Sequence, residues 1–503
     1  MAAKSLSFHA SVPSLGLAYI AGAIKAAGYN VYSIDAVGED VQNYRIYKKN
    51  TKLLLHGLNV AEIVQRIKPG TDVVGINNIF LHEYHLLKDL CNAIKAKHSG
   101  IKVIVGGENA TSLWQQELND IAGIDFIVMG EGETKITDLL FALENNLDAD
   151  KVEGIAFLKD GKPYKTAKRE RLKTLEGLPR PAWDVFPLEV YMDAGLNSGV
   201  NRGRSIPMLT SRGCPYQCKF CSAPEMWTTR YVTREPVDVV NEMEEYVKKY
   251  KIVNVDFQDL TSFITKKWIK EFCELKEARG LGYITWQIPQ GSRSEVIDNE
   301  SAELLYRSGC CNYTFAPESG SERLIAMMKK KLKVDHVVEA MMIAKRHKMN
   351  VDANIIIGTP DEEWYDLWLT YKMIIRFAAA GIDGIGVMPF GPYPGSEYYH
   401  LLSENGMLNF NEEYVYSSLL RASTSIKSYN VRFKPWQIIF VQYMFLFTFY
   451  GLLYLLRPWH FIHSVSNAMH DREENIMDQF LTTKFKQLRK WARLRRSETA
   501  FSD

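Results

Sequence analysis

The first 150 residues alternate short apolar runs with longer stretches in which apolar positions recur every three or four residues. Val31 to Asp35, Val73 to Ile76, Val103 to Val105 and Phe126 to Met129 read as strands, with Leu15 to Ala27 and Tyr84 to Lys97 as helices between them. Strands separated by helices predict βαβ units and a parallel sheet, a Rossmann-like α/β domain over 1–150. Two glycine clusters follow strand ends, Gly106-Gly107 and Gly130-Glu131-Gly132-Glu133. Ligands bind at the carboxyl ends of such strands, but a tight turn needs glycine for conformational reasons alone. The pattern leaves both readings open.

Over 151–205 the rhythm breaks. GIAFLKDGKPYK predicts a hairpin at Asp160-Gly161, and LPRPAWDVFPLEVY is too rich in proline for regular helix or a central strand, so the stretch reads as a linker. From 206 to 395 the alternation returns with a longer period. MLTS, VNVDFQD, ITWQIPQ, CNYTFAPE, VDANIIIG and GIGVMPF each follow a helical stretch, which predicts six units of a β/α barrel where closure would need eight.

Residues 396–503 read as a helical C-terminal domain that caps the barrel. Trp436 to Leu456 carries no charge and is long enough to span a membrane, but Gln437, Gln442, Thr448 and Gly451 dilute it. A buried capping helix or a contact with a membrane surface is the expectation. In the tail, Leu481, Phe485, Leu488 and Ala492 share a helical face, with seven basic residues between Lys484 and Arg496. That pattern suits an anionic membrane surface as well as a solvated terminal helix.

Composition narrows the class. With 46% apolar and 24% charged residues, the 503-residue chain is neither disordered nor a polytopic membrane protein. Lysine and arginine number 61 against 59 acids, so no global field favours nucleic acid, and none is expected as a partner. Seven cysteines form no regular disulfide framework and the first twenty residues lack a secretory pattern, which predicts a reducing cytoplasm.

The sharpest chemical feature is RGCPYQCKFC, which places Cys214, Cys218 and Cys221 in a C-x3-C-x2-C loop directly after a strand. Three thiolates so close in sequence can converge on a soft metal centre. Structural zinc would want a fourth ligand, and no clean candidate follows. An iron-sulfur cube usually takes four cysteines, so three would leave one iron with an open position. Cys91, Cys273, Cys310 and Cys311 are scattered and read as small buried hydrophobes.

At its three cysteines, with the aromatic Phe220 before the last, the chain resembles the radical S-adenosylmethionine superfamily. The resemblance implies a [4Fe-4S] cluster on Cys214, Cys218 and Cys221, the metal ligands and catalytic centre. Its free iron is chelated by S-adenosylmethionine, whose reductive cleavage gives a 5′-deoxyadenosyl radical that abstracts hydrogen from an unactivated carbon. PESGSERL, with Glu318 and Ser319, is similar to the family's fourth-strand segment at the ribose or methionine part of the cofactor. NIIIGTPDEE, with Gly358, resembles the fifth-strand segment near adenine, and Arg293 occupies the place of a third-strand arginine aimed at the cofactor. FQDLTSF, with Asp259, is looser than the family's acidic pair.

PSLGLAYIAGAIKAAGYNVYSIDA, IVGGENAT and VMGEGE resemble the cobalamin-binding domain that precedes the barrel in one branch. Gly106, Gly107 and Gly130 would then line the passage for the nucleotide tail. Classical cobalamin domains carry D-x-H-x-x-G; here the loop reads SVPSLG, and Pro13 stands in the histidine's place, with His9 nearby. Base-off cobalamin with an empty or water-filled lower face is implied.

The expected function is a cobalamin-dependent radical enzyme forming a carbon-carbon bond, most simply by methyl transfer, with an electron donor such as flavodoxin or ferredoxin. Alternatives are ring closure like that of the cyclase acting on a magnesium porphyrin ester, or a non-enzymatic corrinoid- or metal-binding protein. The uncharged stretch, the 12% aromatic content and the basic tail favour a small but bulky hydrophobic substrate such as a lipid, terpenoid or porphyrin. They also suggest peripheral contact with the inner membrane face.

Overall fold

A computed structural model describes residues 2–3, 12–47, 49–167, 170–420 and 426–486. Two separate sheets organise them. In the first, strands Val73–Asn77, Lys102–Gly106 and Phe126–Val128 run parallel, and the hairpin Ile155–Lys159 and Lys162–Lys165 adds two antiparallel strands at one edge. Val103, Ile104 and Val105 are all buried, as expected of a parallel strand covered on both faces. Helix Tyr84–Lys97 buries Tyr84, Leu87, Cys91 and Ile94, a single stripe at helical spacing. The hairpin at Asp160-Gly161 forms as the turn residues predict, but it completes the first sheet instead of standing in the linker.

Val31 to Asp35 joins no sheet. Its polar side chains are bonded elsewhere: the Tyr32 hydroxyl with Thr71, the Ser33 hydroxyl to the Val185 carbonyl, and Asp35 as acceptor from Tyr191. A short three-stranded antiparallel sheet of Ala2–Ala3, Leu53–His56 and Tyr44–Ile46 lies outside the predicted pattern.

The second sheet holds a strand at each of the six predicted places, the first of them displaced to begin three residues before MLTS. In spatial order they are Gly384–Pro389, Asn350–Ile357, Cys310–Glu318, Thr285–Ser292, Asn254–Phe257 and Ser205–Met208, every pair parallel. This is an open (β/α)6 arrangement with aromatic packing behind it, where Phe257, Phe263, Phe272 and Trp286 meet edge to face. Cys91, Cys273 and Cys310 are buried in the packing, as small hydrophobes are.

The exposed edge strand Gly384–Pro389 is covered by the long helix Pro435–Leu456, which also packs along helix Trp364–Ala380. Gln442, one of the polar residues that dilutes the apolar run, donates to the Val387 carbonyl at 2.8 Å. Thus a sheet edge that would otherwise invite another strand is closed.

The segment between the sheets is pinned to both. Ala182 N–H donates to the Ala18 carbonyl at 2.8 Å, and Arg180 pairs with Glu242 at 3.3 Å. Leu481 and Phe485 fall within the helical stretch 476–486, whereas Leu488, Ala492 and the basic run that follows lie outside the described residues.

Candidate active site

The three cysteines lie in the loop between the short strand Ser211–Arg212 and helix Ala223–Trp227, just beyond the carboxyl end of the first barrel strand. Strand Val232–Thr233 returns antiparallel to Ser211–Arg212 and closes the base of the loop. Gly213 sits at φ +84°, and a Cβ there would stand 2.2 Å from the Arg230 carbonyl, so both backbone and space demand glycine. Asp259, after the second barrel strand, accepts from the Thr210 N–H at 3.0 Å, the Thr210 hydroxyl at 2.8 Å and the Ser211 hydroxyl at 2.5 Å. Its role is to tie down the root of the cysteine loop. Burial raises its carboxyl above the usual range, against the lowering effect of those donors.

All three thiols are partly exposed and free of disulfides. Burial pushes the Cys221 thiol up to about 12 and raises Cys214 and Cys218, while Arg293 and Lys330 work the other way on the latter two. Each thiolate would also feel the charge of its neighbours. Among the described residues no three His, Cys, Asp or Glu side chains close on a point that one ion could fill. The donor set fits a cube better: each thiolate takes an iron of its own, and the fourth iron is left free. Ligation would deprotonate the thiols that burial now keeps neutral.

Around the loop the predicted residues take different places. Glu318 ends its strand at φ +62°, buried, in an ion pair with Lys330. Burial raises its carboxyl and Lys330 opposes the shift. The Lys330 ammonium stands 5.8 Å from the Phe220 ring centre, so Phe220 and Glu318 meet through it. Arg293 stacks its guanidinium on Tyr216 of the cysteine loop at 3.9 Å and donates to the Lys330 and Lys331 carbonyls at 3.2 and 2.6 Å. It braces the loop. Ser319 is fully buried, its hydroxyl 3.0 Å from that of Thr370, and Gly358, at φ +79°, lies against Ile438 of the long helix. Neither is brought to the thiols.

The glycine loops of the first sheet meet this region from the other side. Gly107 has φ +114°, and a Cβ would stand 2.6 Å from the Asn78 carbonyl. Gly106 has only ordinary contact with Val128, and Gly130 donates its N–H to Thr111 at 2.9 Å while lying against the Met226 carbonyl beyond the cysteines. Pro13 is buried at the entry to helix Leu15–Ala26; His9 lies outside the described residues. Three buried polar atoms at this strand end have no partner: Asn78 Oδ1, Ser112 Oγ and Glu117 Oε2. Such orphans fit a polar ligand lying across the loops. Glu117 is bonded by Asn78 at 2.6 Å and Asn109 at 3.2 Å, but burial outweighs both and lifts it to about 8.

Several residues escaped the sequence reading. Glu108, directly after the glycine pair, accepts from Ser222 at 2.6 Å and adds its charge to the surroundings of Cys221. Burial raises its carboxyl. Its place after Gly106-Gly107 was the available signal. Lys330 gave none, standing within the basic run KKKLK. Glu131 and Glu133 of the second glycine motif are tied to the barrel: Arg212 pairs with Glu133 at 2.5 Å, and Arg171 of the connecting segment grips Glu131 with contacts of 3.1 and 3.2 Å while donating to the Trp227 carbonyl at 2.6 Å, all four charged residues nearly inaccessible. These acids clamp one domain to the other.

Comparison with known proteins agrees with this geometry. Residues 208–374 match the Radical SAM superfamily and residues 5–140 the B12 binding domain. An uncharacterized methyltransferase of Pyrococcus horikoshii is 26% identical over 396 residues, covering 79% of this chain and 80% of its own. The anaerobic magnesium-protoporphyrin IX monomethyl ester cyclase of Rubrivivax gelatinosus is 29% identical over 397 residues, covering 78% of this chain and 66% of its own. Among solved structures, the radical S-adenosylmethionine methyltransferase TsrM of Kitasatospora setae superposes with a TM-score of 0.63 at 17% identity, over 80% of this chain and 74% of that one, a likeness of fold. The two domains bring three cofactors with them, a [4Fe-4S] cluster, S-adenosylmethionine and cobalamin. The chain is therefore a radical S-adenosylmethionine enzyme and belongs to the branch of that superfamily in which a cobalamin-binding domain precedes the barrel.

Proposed function

We propose that the protein transfers a methyl group to an unactivated carbon of a bulky apolar substrate, with Cys214, Cys218 and Cys221 as the cluster ligands. The observation that carries the reading is three thiols free of disulfides in one loop at the carboxyl end of the six-stranded sheet, met by Glu108 and the glycine loops of the other domain. When bound, the cluster and S-adenosylmethionine supply a 5′-deoxyadenosyl radical, and cobalamin supplies the methyl group.

The chain's own residues hold and orient. Asp259 fixes the root of the cysteine loop, and Arg293 fixes its middle through Tyr216. Lys330, steadied by Glu318, keeps a positive charge beside Cys214 and Cys218 and offers it to the carboxylate of S-adenosylmethionine. Phe220 screens that ammonium from water. Ser319 and Gly358 act one step back, setting the backbone that follows the fourth and fifth strands. Gly106, Gly107 and Gly130 let the backbone approach the nucleotide tail of cobalamin, and Asn78, Ser112 and Glu117 offer it polar contacts. Glu108 holds the cysteine loop at a fixed distance from the glycine loops through Ser222.

The methyltransferase among the relatives supports the transfer reading, and the cyclase relatives support a second reading, oxidative ring closure at the same cysteines. The reducing electron would come from a flavodoxin or ferredoxin in the cytoplasm.

Anaerobically reconstituted protein, supplied with S-adenosylmethionine labelled at its methyl group and with lipid extract, should produce 5′-deoxyadenosine together with a labelled, organic-soluble product. Deoxyadenosine with an unlabelled product two hydrogens lighter would establish ring closure instead. Formation of no deoxyadenosine under strong reductant would overturn both.

A further inference from the structure

The long helix Pro435–Leu456 is apolar on two opposite faces. Its inner face, Ile438, Val441, Phe445, Phe449 and Leu453, is buried against the barrel. On the outer face, Trp436, Phe440, Tyr443 and Phe447 follow one another at spacings of four, three and four, a single stripe, with exposures of 62%, 61%, 47% and 76%. A surface helix of a protein surrounded by water turns polar residues outward. This one turns aromatic residues outward.

The neighbouring helix extends the stripe. Helix Trp364–Ala380 runs alongside in the same direction, since Trp364 meets Phe433, Tyr371 meets Phe445, and Arg457 caps the Ala378 and Ala379 carbonyls. Its Trp364, Tyr365 and Trp368 are about half exposed or more. At about 200 Å² per aromatic side chain, the seven residues present on the order of 800 Å² of apolar surface, beyond the few hundred Å² usual for a monomer. Leu455 near the helix end and Trp459 and Ile462 on the helix that follows are exposed as well.

Charge identifies the occupant. Between Glu413 and Asp471 the sequence contains no acidic residue, while Lys427, Arg432, Lys434 and Arg457 flank the stripe. Glu363, at the start of the neighbouring helix, is already engaged by Arg432 at 3.5 Å and Arg323 at 3.7 Å. Tryptophan and tyrosine seek the boundary between hydrocarbon and water, and cations beside them meet anionic headgroups. With its inner face packed on the barrel, the helix is not free to cross a bilayer. We propose that the outer faces of these two helices seat the protein on the surface of an anionic lipid bilayer, the aromatic side chains entering the headgroup region.

The seat adjoins the working end of the barrel. Trp364 of the stripe packs on Phe433, and beneath it Ile438 lies against Gly358, the residue that follows the fifth strand. An amphiphile leaving the bilayer would meet that end directly. This extension rests on the apolar substrate proposed above; the seating itself does not.

The test is sedimentation of the full-length reconstituted protein with vesicles of phosphatidylcholine alone and of phosphatidylcholine mixed with phosphatidylglycerol. The parent should sediment with the mixed vesicles. Phe440→Ser combined with Phe447→Ser should reduce partitioning roughly tenfold or more, with an unchanged melting temperature and cluster absorbance. A parent that stays in the supernatant with both vesicles, or a double variant that binds as the parent does, overturns the proposal. So does a parent that elutes at twice the mass of the double variant, because a second copy then covers the face. Deoxyadenosine formation without vesicles, measured in parallel, reports on the reaction separately.

Discussion

The cysteine loop and the glycine loops occupy equivalent positions, each at the carboxyl end of a parallel sheet, yet they are held in opposite ways. Around the cysteines, side chains from outside fix the loop, Asp259 at its root and Arg293 on Tyr216, and the three thiols are left free for other chemistry. In the glycine loops much of the side-chain chemistry is spent on structure: Glu131 and Glu133 bind Arg171 and Arg212, and Glu117 is held between two amides. A motif at a strand end becomes a reactive site when its anchoring is supplied by neighbours, leaving its own donors uncommitted.

The largest expected effect lies on the free side of that contrast. Cys221→Ser should bring deoxyadenosine formation to background and remove the iron-sulfur absorbance, while the stability of the metal-free protein changes by under about 1 kcal/mol. A large loss of stability without metal would show that the thiol is structural after all.

Arg212→Ala tests the committed side. It leaves Glu133 buried without its cation and should lower unfolding stability by about 3–5 kcal/mol, read from urea midpoints. The double change Arg212→Ala with Glu133→Ala should recover a good part of this, because no lone charge remains. A loss under about 1 kcal/mol for the single change would remove the clamp between the domains.

The smallest effect is one of pH. Burial raises Glu117 from 4.5 to about 8, so the folded state holds its proton where the unfolded chain releases it. Its contribution to stability is complete below pH 4.5 and is lost as pH rises through about 8. Glu117→Gln should therefore flatten the fall in stability across that window. An unchanged slope would mean that Glu117 is ionised in the folded protein.

Much of the fold was legible because it is written locally. The six barrel strands and the helices Leu15–Ala26 and Tyr84–Lys97 follow from periodicity within a few residues. Val31 to Asp35 has the same local character, but strand formation needs a partner, and its side chains are bound instead by Thr71, Val185 and Tyr191. At the site, the cysteines were legible from spacing; Lys330 was not, since a lysine that will face a carboxylate looks no different in sequence from one that will face water.

The sequence by itself determined the alternation of strands and helices, the three thiols in one loop and the long uncharged helix, because each is set by residues close together in the chain. Tertiary structure alone decided that Arg212 would meet Glu133 across 79 positions, that Ser222 would meet Glu108 across 114, and which face of the long helix is packed and which turned outward. Hydropathy records how apolar a residue is, but which side of a helix meets protein is settled only when the rest of the chain has folded against it.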